Sequence, residues 1–109
     1  DIGDQALQIV ATTMRNAIRV NDMIGRWGGE EFLAILVGVK KDNLISIIEK
    51  VRTLVERSGL PYNGSLLKVT VSVGITLVQD NDTADSIQKR ADNALYISKN
   101  NGRNQTTMI

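Results

Sequence analysis

The spacing of apolar residues constrains this chain most, because it switches between helical and strand periods several times within 109 residues. Leu7, Val10, Ala11, Met14, Ala17 and Ile18 form one stripe at helical spacing. Leu44, Ile47, Ile48, Val51, Leu54 and Val55 form a second, and Ile87, Ala91, Ala94 and Leu95 a third. Asp4 is the expected N-cap of the first helix, Asp42 or Asn43 of the second, and Thr83 of the third. Gly59 stops the second helix, and the third ends near Asn101-Gly102.

Strand signals lie between the stripes. Met23 to Trp27 is short and mixed, whereas Phe32 to Val37 is an unbroken apolar run that suits a strand buried on both faces. Gly28-Gly29 between them reads as a tight hairpin connection. Val69, Val71, Val73, Ile75 and Leu77 alternate with Thr70, Ser72, Gly74 and Thr76, the pattern of a half-buried strand. Pro61-Tyr62-Asn63-Gly64 reads as a loop, and Thr106 to Ile109 as a short terminal edge strand. The order is helix, strand, strand, helix, strand, helix. One strand placed in front makes it the split βαβ of ferredoxin-like folds. The expected fold is therefore α+β, with an antiparallel-rich central sheet, helices packed on it and the first strand absent. A sheet without a central strand leaves backbone donors to be paired, by residues outside this chain or by another segment.

Composition narrows the chemistry. The length suits one small domain. Thirteen Lys and Arg against twelve Asp and Glu leave a net charge of +1, which argues against a nucleic-acid sponge or a polybasic membrane anchor. There is no cysteine and no histidine, so any metal must be held by oxygen, and catalysis falls to carboxylates, Lys, Arg, hydroxyls or backbone. No apolar stretch approaches the roughly 18 residues of a membrane span, and no signal-peptide pattern opens the chain.

The densest chemical signal is Arg26-Trp27-Gly28-Gly29-Glu30-Glu31-Phe32. Two glycines at a hairpin tip let backbone approach a ligand closely. Alternation sends Glu30 and Glu31 to opposite faces of a regular strand, so both reach one ligand only if the turn distorts. Hard oxygen ligands beside a phosphate-accessible backbone suit Mg²⁺. Taken alone, the same residues also describe a solvated turn.

Gly28-Gly29-Glu30-Glu31-Phe32 resembles the signature of the GGDEF family, the diguanylate cyclases, in its GGEEF form. Gly3-Asp4 followed by Leu7 resembles the family's GD-x-x-L helix start, and Arg19-Val20-Asn21-Asp22 its RxxD inhibitory motif. Val71-Ser72-Val73-Gly74-Ile75 resembles its S-x-G strand. Arg90-Ala91-Asp92, Ala94-Leu95-Tyr96, Lys99 and Gly102-Arg103-Asn104 resemble its last helix and exit. The resemblance implies a nucleotide-cyclase palm and a single domain over residues 1–109, lacking its N-terminal strand and phosphate loop. It implies condensation of two GTP into cyclic di-GMP and two pyrophosphates by a homodimer with Mg²⁺ or Mn²⁺.

By the same resemblance Glu30 falls at the metal-ligand position, and Glu31 at the acidic position linked to metal binding or activation of the attacking 3′-hydroxyl. Gly28 and Gly29 pass beside the phosphates, Asp4 meets the guanine edge, and Lys99 and Arg103 bind the triphosphate. Arg19 and Asp22 form a product-binding site that gives feedback inhibition. A second arginine of that site falls near Lys50, and a lysine there keeps charge but loses the planar fork. Plainer roles compete: Asp4 as helix cap, Lys99 and Arg103 as complements of a helix dipole, Arg19 and Asp22 as a surface ion pair worth at most about 1 kcal/mol. Lys40-Lys41 reads as a solvated turn.

The family's first strand carries another metal-binding Asp, followed by a phosphate loop, and neither is in this chain. Weak Mg²⁺ affinity is expected, with an active intact domain but an inactive 109-residue fragment. The implied setting is cytoplasmic, alone or as part of a membrane-bound sensor, with an upstream sensor or receiver domain and neither nucleic-acid nor direct membrane contact. A non-catalytic module that binds GTP or cyclic di-GMP for signalling is the alternative, and a nucleotide-free interaction domain a third reading.

Overall fold

The first helical stripe begins one residue into the chain. In a computed structural model that describes residues 1–19 and 22–109, α1 spans Ile2–Ala17 and its N-cap is Asp1, which corrects the expectation for Asp4. Asp1 Oδ1 accepts the Asp4 amide at 3.0 Å, satisfying one of the donors that a helix start leaves open. Asp4 instead lies in the first turn with its side chain exposed. The chain divides into two compact units, Asp1–Val69 and Thr70–Ile109.

In the first unit, β1 (Met23–Gly28) pairs antiparallel with β2 (Glu31–Ile35), from Met23↔Ile35 to Gly28↔Glu31. The sequence pointed to a Phe32–Val37 strand buried on both faces. The strand is shorter and half-buried, with Ile35 and Val37 exposed. Every ladder among the described residues has two strands, too few to cover a strand on both sides. Helix α2 spans Lys41–Ser58 and packs on α1. Its N-cap is Lys40, which makes no side-chain cap bond, so neither Asp42 nor Asn43 serves; Asp42 sits in the first turn, where its charge favours the positive helix end. Leu44, Ile48, Val51 and Val55 make its buried face, and Gly59 ends it at φ 66°.

The stretch expected as a loop is instead a second hairpin, β3 (Leu60–Tyr62) against β4 (Ser65–Leu67). Asn63 and Gly64 join them at φ 50° and 80°, the doubly positive turn that Asn-Gly favours.

The second unit is a crossover. β5 (Val73–Ile75) and β6 (Thr106–Met108) run parallel, Val73 opposite Thr106 and Ile75 opposite Met108, and α3 (Ala84–Asn100) connects them. The expected strand over 69–77 is three residues long because only that part faces β6. Thr83 caps α3 as expected, in a reciprocal capping box with Ser86. Gly74 explains how closely β5 lies on α3: a Cβ there would stand 2.3 Å from the Leu95 amide nitrogen and 2.5 Å from the Ala91 carbonyl oxygen. Ala94 and Ser98 are fully buried on the helix, and Ser98 Oγ donates to the Val73 carbonyl at 2.8 Å. Arg90 ties the β5 exit to the start of α3, donating to both Asp82 carboxylate oxygens at 3.0 and 2.6 Å and to the Leu77 carbonyl at 2.8 Å. That guanidinium, with bonds from the Gln79 amide and the Ser86 hydroxyl, holds the Asp82 carboxyl well below the ordinary carboxylate range. Among the described residues no helix is long and apolar enough to cross a membrane.

Candidate active site

The turn between β1 and β2 departs from regular pairing in one respect. Arg26 stands opposite Phe32, Gly28 opposite Glu31, and Trp27 is the extra residue between them, a bulge. Gly29 turns the chain at φ 43°, a left-handed conformation that side chains resist. Glu30 completes the two-residue turn and Glu31 begins β2. The bulge and the left-handed Gly29 make the connection irregular between Arg26 and Glu31. Gly28, Gly29 and Glu30 are exposed, Glu31 is half-buried, and a Cβ on either glycine would meet nothing within 4 Å.

Arg26, which opens the motif but to which the sequence reading gave no role, reaches along the hairpin. Its Nε donates to the Gly29 carbonyl at 2.7 Å. It also shares a groove of about 780 Å³ with Asp4, Gln8 and Arg15 of α1 and with Ile24 and Phe32 of the hairpin. Asp4 is therefore brought to the flank of the hairpin, and its carboxylate, not required as a cap, is exposed there.

Arg19 and Asp22 bracket one residue, Val37, between them. Asp22 Oδ2 accepts the Arg19 amide at 2.9 Å and Oδ1 the Val37 amide at 2.8 Å, while the Arg19 guanidinium donates to the Val37 carbonyl. Charge pairing is the lesser part, with Nε and Oδ2 3.7 Å apart. The Asp22 side chain is 1% exposed and that of Arg19 61%, and the two amide bonds hold the Asp22 carboxyl below its ordinary value. Val20 and Asn21, the middle of this motif, lie outside the described residues. Lys50 is exposed on α2.

In the second unit, Lys99 lies in the last turn of α3 and its carbonyl accepts from Arg103 Nη1 at 3.4 Å. Gly102, Arg103 and Asn104 take positive φ in succession, 112°, 63° and 48°. Two non-glycine residues in that region are costly. They are held by the Arg103 amide on the Ser98 carbonyl at 3.0 Å and the Asn104 amide on Ser72 Oγ at 3.2 Å.

Residues 1–105 match the family described as diguanylate cyclase, GGDEF domain. The chain belongs to the GGDEF family. It is 38% identical over 107 residues to diguanylate cyclase A of Treponema denticola, covering 97% of this chain and 29% of that protein's length. Among solved structures, the GGDEF domain of DgcB from Caulobacter crescentus in complex with c-di-GMP matches with a TM-score of 0.91 at 30% identity, over 96% of this chain and 63% of that one. Diguanylate cyclase SiaD from Pseudomonas aeruginosa, in complex with its activator SiaC, matches with a TM-score of 0.90 at 34% identity, over 97% of this chain and 41% of that one.

Whether the residues of the turn suit a divalent cation can be judged from their chemistry. Among the described residues no three Asp, Glu, His or Cys side chains gather as a cage. Glu30 and Glu31 supply hard carboxylate oxygens next to each other on an open turn. That fits Mg²⁺, which takes one or two carboxylates and completes its shell with water and substrate phosphates.

Proposed function

We propose that this GGDEF chain is the catalytic domain of a diguanylate cyclase, condensing two GTP into cyclic di-GMP and two pyrophosphates as a homodimer. The observation that carries the reading is the exposed turn at Gly28–Glu31, where two carboxylates stand on a backbone that a nucleotide can approach. Glu30 and Glu31 would hold Mg²⁺ or Mn²⁺, which when bound neutralises phosphate charge and polarises the reacting oxygens. Asp4, exposed on the groove beside the hairpin, would accept from the guanine edge. Lys99 and Arg103 would bind phosphate oxygens. In each half-reaction the 3′-oxygen of one GTP bonds to the α-phosphorus of the other. The bond from that phosphorus to the β-phosphate bridging oxygen breaks, pyrophosphate leaves with the electron pair, and Glu31 takes the hydroxyl proton. Such chemistry needs positioning and charge stabilisation more than a covalent intermediate, so a histidine-free chain can perform it.

Arg19 and Asp22 would form the product site for feedback inhibition. Input from a regulatory domain or partner belongs to the same proposal, in keeping with SiaD, which was solved with its activator. The test is incubation of the domain, extended to include its N-terminal strand and phosphate loop, with GTP and Mg²⁺, followed by chromatography. Cyclic di-GMP and pyrophosphate in a 1:2 ratio are expected. GTP that binds without conversion selects the non-catalytic signalling module instead.

A further inference from the structure

The bulge at Trp27 interrupts the ladder one step before the turn, so regular strand pairing stops short of holding Gly29. A side chain takes over. The Nε of Arg26 donates at 2.7 Å to the Gly29 carbonyl, three residues along. That carbonyl belongs to the same planar peptide as the Glu30 amide. Fixing its oxygen therefore fixes the plane from which Glu30 leaves the turn. Gly29, at φ 43° and lacking a Cβ, is conformationally permissive, so a free carbonyl would let the peptide rotate and carry Glu30 with it.

We propose that Arg26 is a positioning residue that locks the Gly29–Glu30 peptide and thereby orients the Glu30 carboxylate for a divalent cation. This rests on the metal-site reading of the turn for its functional half and on the hairpin geometry alone for its structural half. Arg26 lies in the same groove as Asp4, and its positive charge would also offset the two glutamates. The lock and the charge are separable, because glutamine places its amide nitrogen the same number of bonds from Cα as the arginine Nε. Arg26→Gln keeps the donor and removes the charge. Arg26→Lys keeps the charge and removes the planar Nε–H.

The experiment compares wild type, Arg26→Gln, Arg26→Lys and Arg26→Ala. Backbone order at the Glu30 amide is measured by ¹⁵N relaxation without ligand. Mn²⁺ half-saturation is read from the fluorescence of Trp27, the one tryptophan of the chain. The expected result is wild-type order in Arg26→Gln and lowered order in Arg26→Lys and Arg26→Ala. Mn²⁺ half-saturation should stay within about twofold for Gln and rise roughly fivefold or more for Lys and Ala, a change of metal affinity tenfold being the scale of lost outer-shell support. Lys behaving as wild type while Gln fails would overturn the lock in favour of a charge role, and equal order in all four would overturn it outright. If the order pattern holds but metal binding does not follow it, the turn is locked without serving the metal, and the functional half falls. If the four proteins show the order pattern but the domain extended to include its N-terminal strand converts no GTP, the cyclase reading falls and the lock stands.

Discussion

Asp22 and Val37 are joined across the base of the β1–β2 hairpin by a 2.8 Å bond from the Val37 amide to Asp22 Oδ1. The other carboxylate oxygen takes the Arg19 amide at 2.9 Å, so a side chain 1% exposed closes the hairpin below its turn. Both bonds need the charged, acceptor-only form. The folded-state pKa is lowered by these amides. The contribution is then fully present above the unfolded value near pH 4 and is lost as pH falls through the depressed folded value. Asp82, lowered mainly by Arg90, acts in the same direction.

The prediction is a protein whose stability starts to fall as pH drops below about 4 and keeps falling toward the depressed folded values, with a flatter profile in Asp22→Asn and Asp82→Asn. Both variants should melt several degrees lower than wild type at pH 7. Urea denaturation at stepped pH measures this. A wild-type acid slope retained in both variants would assign the loss to other carboxylates.

Gly74→Ala should weaken the second unit by about 1–3 kcal/mol, the range of forced overpacking. The added methyl meets backbone of α3 at 2.3 and 2.5 Å, which no rotamer change relieves. Urea midpoints at constant slope would show it. A neutral substitution would mean that β5 and α3 lie farther apart than described.

These two sites show what was legible in the sequence. The stripes of α2 and α3 were, because Leu44, Ile48, Val51 and Val55, or Ala94, recur at helical spacing and are buried. The Thr83 cap and the β6 strand were as well. Where a competing local signal existed, the reading went astray. Asp1 stood three residues ahead of Asp4 and took the cap. Asn63-Gly64 carried a hairpin signal that Pro61 masked. Alternation over 69–77 described a period, but a strand exists only where β6 offers a partner. At the candidate site, the family motif pointed to the glycines and glutamates of the turn. It could not show that Asp22 spends both oxygens on backbone or that Arg26 grips Gly29, because those are bonds between distant or bulged positions with no period to betray them.

In the domain extended to include its N-terminal strand and phosphate loop, Glu30→Gln and Glu31→Gln should each lower cyclic di-GMP formation by at least about 100-fold, the scale of removing one electrostatic contact to a reacting centre. Glu30→Gln should not change the melting temperature much, since Glu30 is exposed on the turn. Chelating the divalent cation should abolish turnover in wild type. Activity that survives both the chelator and Glu30→Gln would remove the metal from the proposed reaction.

The last prediction separates the two members of the proposed product site. The guanidinium of Arg19 rests on the Val37 carbonyl yet its side chain is 61% exposed, so a guanine edge or a phosphate can compete for its donors. Asp22 has no comparable freedom, being 1% exposed with both oxygens on amides. Arg19→Ala should therefore lower cyclic di-GMP affinity by tenfold or more, roughly 1.4 kcal/mol, at nearly unchanged melting temperature. Asp22→Asn should lower the melting temperature first, and affinity only as the hairpin base loosens. Isothermal titration beside thermal melts distinguishes the two. Unchanged binding in Arg19→Ala would remove this pair from product recognition and leave it as the clasp on Val37.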